Sequence, residues 1–300
     1  MTISIVARDP ATGRFGVATA GFALAVGGRV PRVTGHGAVA VQAGAPPTWG
    51  PVLLAALGSG VRAEDAIALL GSSPVADRAQ LAVVDRQGGV AVLSGEALEP
   101  AVSEARGRGV CAAANLMERP GVAAVAVAAY VTSKAPSFSG RLLEALSAAD
   151  RLGADVRGRQ SAAVRVAAGE KDADPVAAEV DLRVDDARDP VAELRRLHRV
   201  WAAHELLNAS RGEDGLYRNV DLALAALAAA PDDQACLGAA MLTLLRAGRL
   251  AEAAPLLRRL SAVEPRTETR IRRMVYSGSL TPDTGKAALC ILATTPSILG

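Results

Sequence analysis

The sequence predicts an α+β protein, with a mixed strand-and-helix domain over residues 1–211 and a small all-α domain over residues 212–300. Two observations carry this. Short apolar runs separated by turn residues alternate with helical stretches to about residue 185, and from Pro190 onward the pattern is helical only. That shift in composition marks a domain boundary, placed near Arg211–Asp214.

The elements follow in order. Thr2–Arg8 is an apolar-rich strand, and Asp9-Pro10-Ala11-Thr12-Gly13 is a turn with Pro early and Gly at its end. Phe15–Ala20 returns as the second strand of a hairpin, and strands at Arg29–Val33 and Ala38–Gln42 follow. Pro51–Leu57 and Ala63–Leu70 read as helices, the second with Glu64 and Asp65 at its positive end. A second hairpin pairs Leu81–Asp85 with Val90–Leu93 across Arg86-Gln87-Gly88-Gly89, and Val110–Leu116 is a further strand. Two long helices, Gly121–Thr132 and Ser139–Arg151, precede strands at Gln160–Ala167 and Ala178–Val184. Asp189-Pro190 then opens a helix with an N-cap and a first-turn proline, carrying Leu194, Leu197, Trp201 and Leu206 on roughly one face.

Composition excludes several functions. Aromatics make up only 3% of a chain that is 50% hydrophobic, so the core is built from Ala, Val and Leu. A net charge of +2 predicts neither a nucleic-acid footprint nor affinity for an anionic membrane. The most apolar stretch, Val122–Val131, is about half of what a bilayer needs, and Ser4, Arg8 and Asp9 interrupt any secretory signal. Cys111, Cys236 and Cys290 are isolated from one another, which fits buried reduced thiols rather than a disulfide framework. The expectation is a cytoplasmic protein.

No cofactor or metal motif is present. His198 and His204 are six apart on a helix and do not share a face as an i, i+4 pair would, so both read as surface or interface residues; His36 is the remaining histidine. Thr284-Gly285-Lys286-Ala287 lacks the hydroxyl residue and upstream glycine of a phosphate loop, no Gly-x-Ser-x-Gly elbow occurs, and Gly27-Gly28 is a turn signal. What remains is the terminus. Removal of Met1 would expose Thr2, whose hydroxyl can attack while its own α-amine, with a reference pKa of ~7.7–8.0, acts as general base.

The helical tail has an internal period. Ala229-Ala230-Pro231 and Val263-Glu264-Pro265 end helices 34 residues apart, with Ala247-Gly248-Arg249-Leu250 and Glu252-Ala253-Ala254 between them. This resembles a tetratricopeptide repeat, and makes residues 215–300 a candidate surface for a protein partner; the alternative is a generic helical extension packed back on the main domain.

Several stretches in fixed order resemble the family called domain of unknown function 1028. They are Thr2–Asp9, Phe15-Gly16-Val17-Ala18, Ala25-Val26-Gly27 with Pro31, Gly37–Gln42 and Trp49-Gly50. Val83-Val84-Asp85, Ser94-Gly95, Asn115-Leu116, Arg141-Leu142-Leu143 and Asp155–Ala163 continue the series to about Leu197. The chain departs from the family pattern at Gly21, where relatives usually carry Ser, and at Pro46, where they usually carry Asn. It departs also at Ala114 and around Pro100-Ala101-Val102.

The resemblance implies a four-layer αββα Ntn-hydrolase-like sandwich and an N-terminal-threonine amidohydrolase acting on a small amide or ureido compound. Thr2 would be the nucleophile, Asn115 the oxyanion donor, Asp155 the support of the amine and Ser161 a hydrogen-bond partner of it. Arg157 or Arg159 would hold a substrate carboxylate, with Gln42 and Gln160 completing the substrate-binding set. Read without the resemblance, Asp155–Ser161 is a turn that caps a strand. The rival from another class is an inert scaffold of the same fold, binding a protein through its helical tail. A homodimer is compatible with either reading.

Overall fold

A computed structural model describes residues 2–98, 101–153, 155–167 and 178–294; Met1 and Pro100 lie outside them. The chain divides into two compact units, Met1–Arg196 and Leu197–Gly300.

The first unit begins with the hairpin β1 (Thr2–Arg8) and β2 (Phe15–Gly21), in register from Thr2 opposite Gly21 to Arg8 opposite Phe15. Asp9 organises the turn, its carboxylate accepting from Thr12 Oγ1 at 2.6 Å while pairing with Arg141 at 2.5 Å. Burial by itself would raise this carboxyl, but the bonds from Thr12 and Arg141 outweigh it and hold the group below its ordinary value. After a short 3-10 turn at Val26–Gly28 come β3 (Pro31–Thr34) and β4 (Gly37–Ala43). Helices α1 (Trp49–Gly58) and α2 (Ala63–Gly71) follow, then β5 (Ala79–Asp85) and β6 (Val90–Ser94). Next are β7 (Ser103–Gly107), β8 (Val110–Asn115), α3 (Val122–Thr132), α4 (Phe138–Leu152), β9 (Ser161–Ala167) and β10 (Ala178–Val184).

Two antiparallel sheets result, ordered β10-β9-β2-β1-β8-β7 and β3-β4-β5-β6. Strand alternation sends Val6, Val17, Ala38, Ala40, Ala82, Val84, Cys111 and Ala113 into the space between them. On the far side of the smaller sheet, Val39, Val41, Leu81 and Val83 meet Leu53, Leu57 and Ile67 of α1 and α2. On the far side of the larger sheet lie α3 and α4. Each helix layer seats on a strand glycine. A Cβ on Gly16 would stand 2.7 Å from Leu142 Cδ1, and one on Gly37 would stand 2.5 Å from Leu57 Cδ1. Layers drawn this close are what an Ala- and Val-rich, aromatic-poor core permits.

The expected strands and helices of this unit are all present, with ends shifted by a few residues. The strand expected at Arg29–Val33 begins at Pro31, since proline is tolerated as a first strand residue but cannot donate to the ladder inside one. The additional strand β7, Ser-Glu-Ala-Arg-Gly, lies at the edge of the larger sheet with no fully buried residue and no apolar alternation to announce it.

The long helix α5 (Pro190–Ala209) runs across the division of the chain. Its later residues Ala203 and Leu207 already belong to the helical core, which is why the division falls before Leu197 rather than near Arg211. The helices beyond are α6 (Val220–Ala229), α7 (Gln234–Arg246), α8 (Leu250–Val263), α9 (Thr267–Tyr276) and α10 (Pro282–Ala293). Central α7 is buried from Cys236 to Leu245, and Asn219, Asp233 and Thr281 cap α6, α7 and α10 with their side chains. None of the described helices is long and apolar enough to cross a membrane. Cys111 and Cys236 are buried free thiols as expected, whereas Cys290 is exposed.

Candidate functional site

Strand registry builds the site. Thr2 opens β1 opposite Gly21 of β2 on one side and Asn115 of β8 on the other, and Gly21 lies opposite Ser161 of β9. Ser161, Gly21, Thr2 and Asn115 therefore form one row across four adjacent strands. Directly paired residues present their side chains to the same face, which here looks toward the second sheet. Thr2 is 6% exposed and Asn115 is 3% exposed.

Behind this row lies a buried polar network joining the sheets. Gln42 and Gln80 are paired on β4 and β5, and Gln80 is paired with Ser94 on β6. Ser4 Oγ donates to Gln42 Oε1 at 2.6 Å, and Gln42 Nε2 shares its hydrogens among Gln80 Oε1 at 2.7 Å, Ala113 O at 3.1 Å and Thr2 O at 3.2 Å. Gln80 Oε1 also accepts from Asn115 Nδ2 at 2.7 Å. The Gln80 amide nitrogen donates to Ser94 Oγ at 2.8 Å and to Ala114 O at 3.2 Å. The chain thus fixes the Thr2 carbonyl through Gln42 and the orientation of Asn115 through Gln80. Gln42 was expected among substrate-binding groups; its amide here is engaged by the protein itself.

Asp155 crosses the end of β1. It forms an isolated bridge with Met117, which extends beyond Asn115 on one side. Its Oδ2 accepts from the backbone N of Phe22, which follows Gly21 on the other side, at 3.1 Å. Its Oδ1 accepts from Arg157 N at 2.8 Å and from Arg157 Nε at 3.2 Å. Asp155 is 4% exposed. The Asp155 carboxylate therefore holds its own turn and the end of β2, while its backbone bridge ties the segment to the extension of β8, the two strands that flank Thr2.

The other expected residues are less direct. Arg157 lies over the Phe22 ring at 5.3 Å, and Arg159 Nε donates to Asp150 at 2.8 Å. Ser161 stands two strands from Thr2, and its hydroxyl donates to Ala23 O at 2.5 Å while accepting from Val26 N at 3.0 Å, tying the loop after β2 to β9. Gln160 joins through its backbone, donating to Gly21 O at 3.2 Å. A small cleft of about 20 Å³, bordered by Ile3, Ala20, Gly21, Met117, Asp155 and Arg159, opens on the helix-facing side of the same sheet end. Gly21 leaves the row beside Thr2 without a side chain. Pro46 lies in the loop before α1, where its carbonyl accepts from Trp49 N. Cys111 offers no nucleophile, since burial pushes its thiol up to about 12.

Gln80 is the residue that the sequence reading passes over. It precedes the expected strand start at Leu81, and a single Gln among apolar residues has no periodic signal of its own. The available sign was its place in the same strand pair as Gln42, two amides amid otherwise apolar strands.

No curated protein matches the chain. A crystal structure of a protein from Silicibacter pomeroyi, described as DUF1028, is similar to it at 31% identity and a TM-score of 0.60, covering 71% of this chain and 87% of that one. The family model for the family of unknown function DUF1028 matches residues 2–194. Over its strand-and-helix unit, up to the first turn of α5, this chain belongs to the DUF1028 family.

Proposed function

We propose that the first unit is an Ntn-hydrolase-like αββα sandwich and that Thr2, freed by removal of Met1, is the nucleophile of an amidohydrolase acting on small amide or ureido compounds. The observation that carries this is the position of Thr2. It is the first residue of a central strand, with Asn115 beside it on the same face and the Asp155 carboxylate across the strand end.

In this mechanism the neutral α-amine takes the proton of Thr2 Oγ1 as that oxygen attacks the amide carbonyl carbon. The second N–H of Asn115 Nδ2 stabilises the resulting oxyanion, its orientation set by the bond to Gln80. The C–N bond then breaks, the departing nitrogen carries away the proton held by the amine, and an ester on Thr2 remains. Water, deprotonated by the same amine, hydrolyses the ester and returns the hydroxyl. Asp155 orients the amine, its carboxylate held in place by the pair with Arg157. The mass of the intact chain, produced from its Met1 start, tests the first requirement. A chain lacking Met1 is expected; retention of Met1 excludes the mechanism.

A second reading has its own support. Arg157 and Arg159, which would greet a substrate carboxylate, are engaged by Asp155 and Asp150. Helices α6 and α8 end at Ala229 and Val263, in step with the 34-residue period of a tetratricopeptide-like array. A groove of about 420 Å³ in that unit is lined by Arg266, Arg270, Arg273 and Met274. On this reading the protein is a scaffold whose helical unit binds an acidic protein partner, and Thr2→Ala leaves its function unchanged.

A further inference from the structure

The helical unit brings His204 against two neighbouring residues that lie far from it in sequence. His204 lies in the later half of α5, Asp233 is the N-cap of α7, and Cys236 is in the first turn of α7. One imidazole nitrogen, one carboxylate oxygen and the Cys236 sulfur all lie within 4.8 Å of one another. His204 Nε2 is 3.1 Å from Asp233 Oδ1. Cys236 is fully buried, whereas the His204 side chain is 43% exposed, so the cluster is anchored in the core and open to solvent on one side.

We propose that His204, Asp233 and Cys236 form a zinc site that staples α5 to the start of α7. Nitrogen, oxygen and sulfur in one cluster make a borderline-soft donor set, which suits Zn²⁺ better than the hard cations Mg²⁺ or Ca²⁺. Tetrahedral zinc requires bonds of about 2.0–2.3 Å, so donors must approach one another to within about 3–4 Å, a small contraction of the present spacing. On binding, the Cys236 thiol releases its proton to solvent and Asp233 supplies the second negative charge, so the two anionic ligands neutralise the cation. Water from the exposed side takes the fourth position. Asp233 continues to cap α7 through its bond from Cys236 N at 2.9 Å, because a carboxylate has lone pairs for both. The site is independent of the chemistry proposed at Thr2, and its donors come from residues that no periodic motif links.

Cobalt(II), a spectroscopic substitute for zinc, provides the test. The reduced full-length chain is titrated with Co²⁺ alone. The expected result is one Co²⁺ per chain, with a thiolate-to-cobalt charge-transfer band in the near ultraviolet and visible bands of tetrahedral intensity, all removed by adding Zn²⁺. The bands persist in Cys290→Ser, which removes the exposed thiol, and vanish in Cys236→Ser. Should Cys236→Ser fail to fold, His204→Gln decides, since it leaves the α7 cap untouched; it weakens Co²⁺ binding by about tenfold or more. Zn²⁺ raises the melting temperature of the unaltered chain and not that of His204→Gln. Absence of a charge-transfer band, its persistence in Cys236→Ser, or unchanged affinity in His204→Gln overturns the proposal and leaves a hydrogen-bonded helix cap.

Discussion

Thr2→Ala is expected to lower turnover of a small amide by at least about 10³-fold while leaving the fold in place. The substitution removes the attacking oxygen but keeps the Cβ. The β1 pairings to Gly21 and Asn115 are made by backbone, and the bond from Gln42 goes to the residue 2 carbonyl. Stability should therefore change by less than about 1 kcal/mol. Thr2→Ser retains hydroxyl and amine and should keep much of the rate. Its pH profile should match that of the unaltered chain, rising as the amine loses its proton. A panel of primary amides and ureido compounds, assayed across pH, checks both variants. Equal turnover by Thr2→Ala would remove Thr2 from the chemistry.

Gln80→Ala is expected to be the most destabilising single change at the site, costing about 3–5 kcal/mol. The side chain is fully buried and serves four partners: Gln42, Asn115, Ser94 and the Ala114 carbonyl. Truncation deprives each of a hydrogen bond between two sheets, where solvent offers little replacement, and adds a cavity. Gln42 retains Thr2 O and Ala113 O and so is partly spared, whereas Asn115 loses the acceptor that orients it. Urea unfolding followed by Trp49 fluorescence in a Trp201→Phe background reads the first unit by itself, because Trp49 lies in α1 and Trp201 in α5. A fall in midpoint at constant m is the expected signature. A loss below about 1 kcal/mol would mean that the network adds little to stability.

How much of this was legible in the sequence follows from which signals are local. The hairpin from Thr2 to Gly21 and the pairing of β5 with β6 announce themselves through apolar runs and turn residues. Asp155 was legible both as part of a family segment and as a turn, and one carboxylate performs the turn role by accepting from Arg157 N and Phe22 N. The placement of Asn115 beside Thr2 follows from antiparallel registry between β1 and β8, which no single segment encodes. Gln80 escaped for the same reason, since its meaning lies in partners on β4, β6 and β8. Charge also misleads when read alone: Arg159 is set against Asp150, nine positions earlier on the last turns of α4. His204, Asp233 and Cys236 carry no common period, and only the packing of α5 on α7 brings them together.

The most direct test of the account is covalent capture at the chain terminus. A small β-lactone acylates a nucleophilic hydroxyl by ring opening: the Oγ1–carbonyl bond forms, the ring C–O bond breaks, and the Thr2 proton ends on the released hydroxyl. Peptide mapping of the treated chain is expected to place one lactone on a peptide that begins at Thr2, with no label on Thr2→Ala. A terminal peptide still bearing Met1, or label confined to other residues, would contradict the assignment of Thr2 as nucleophile.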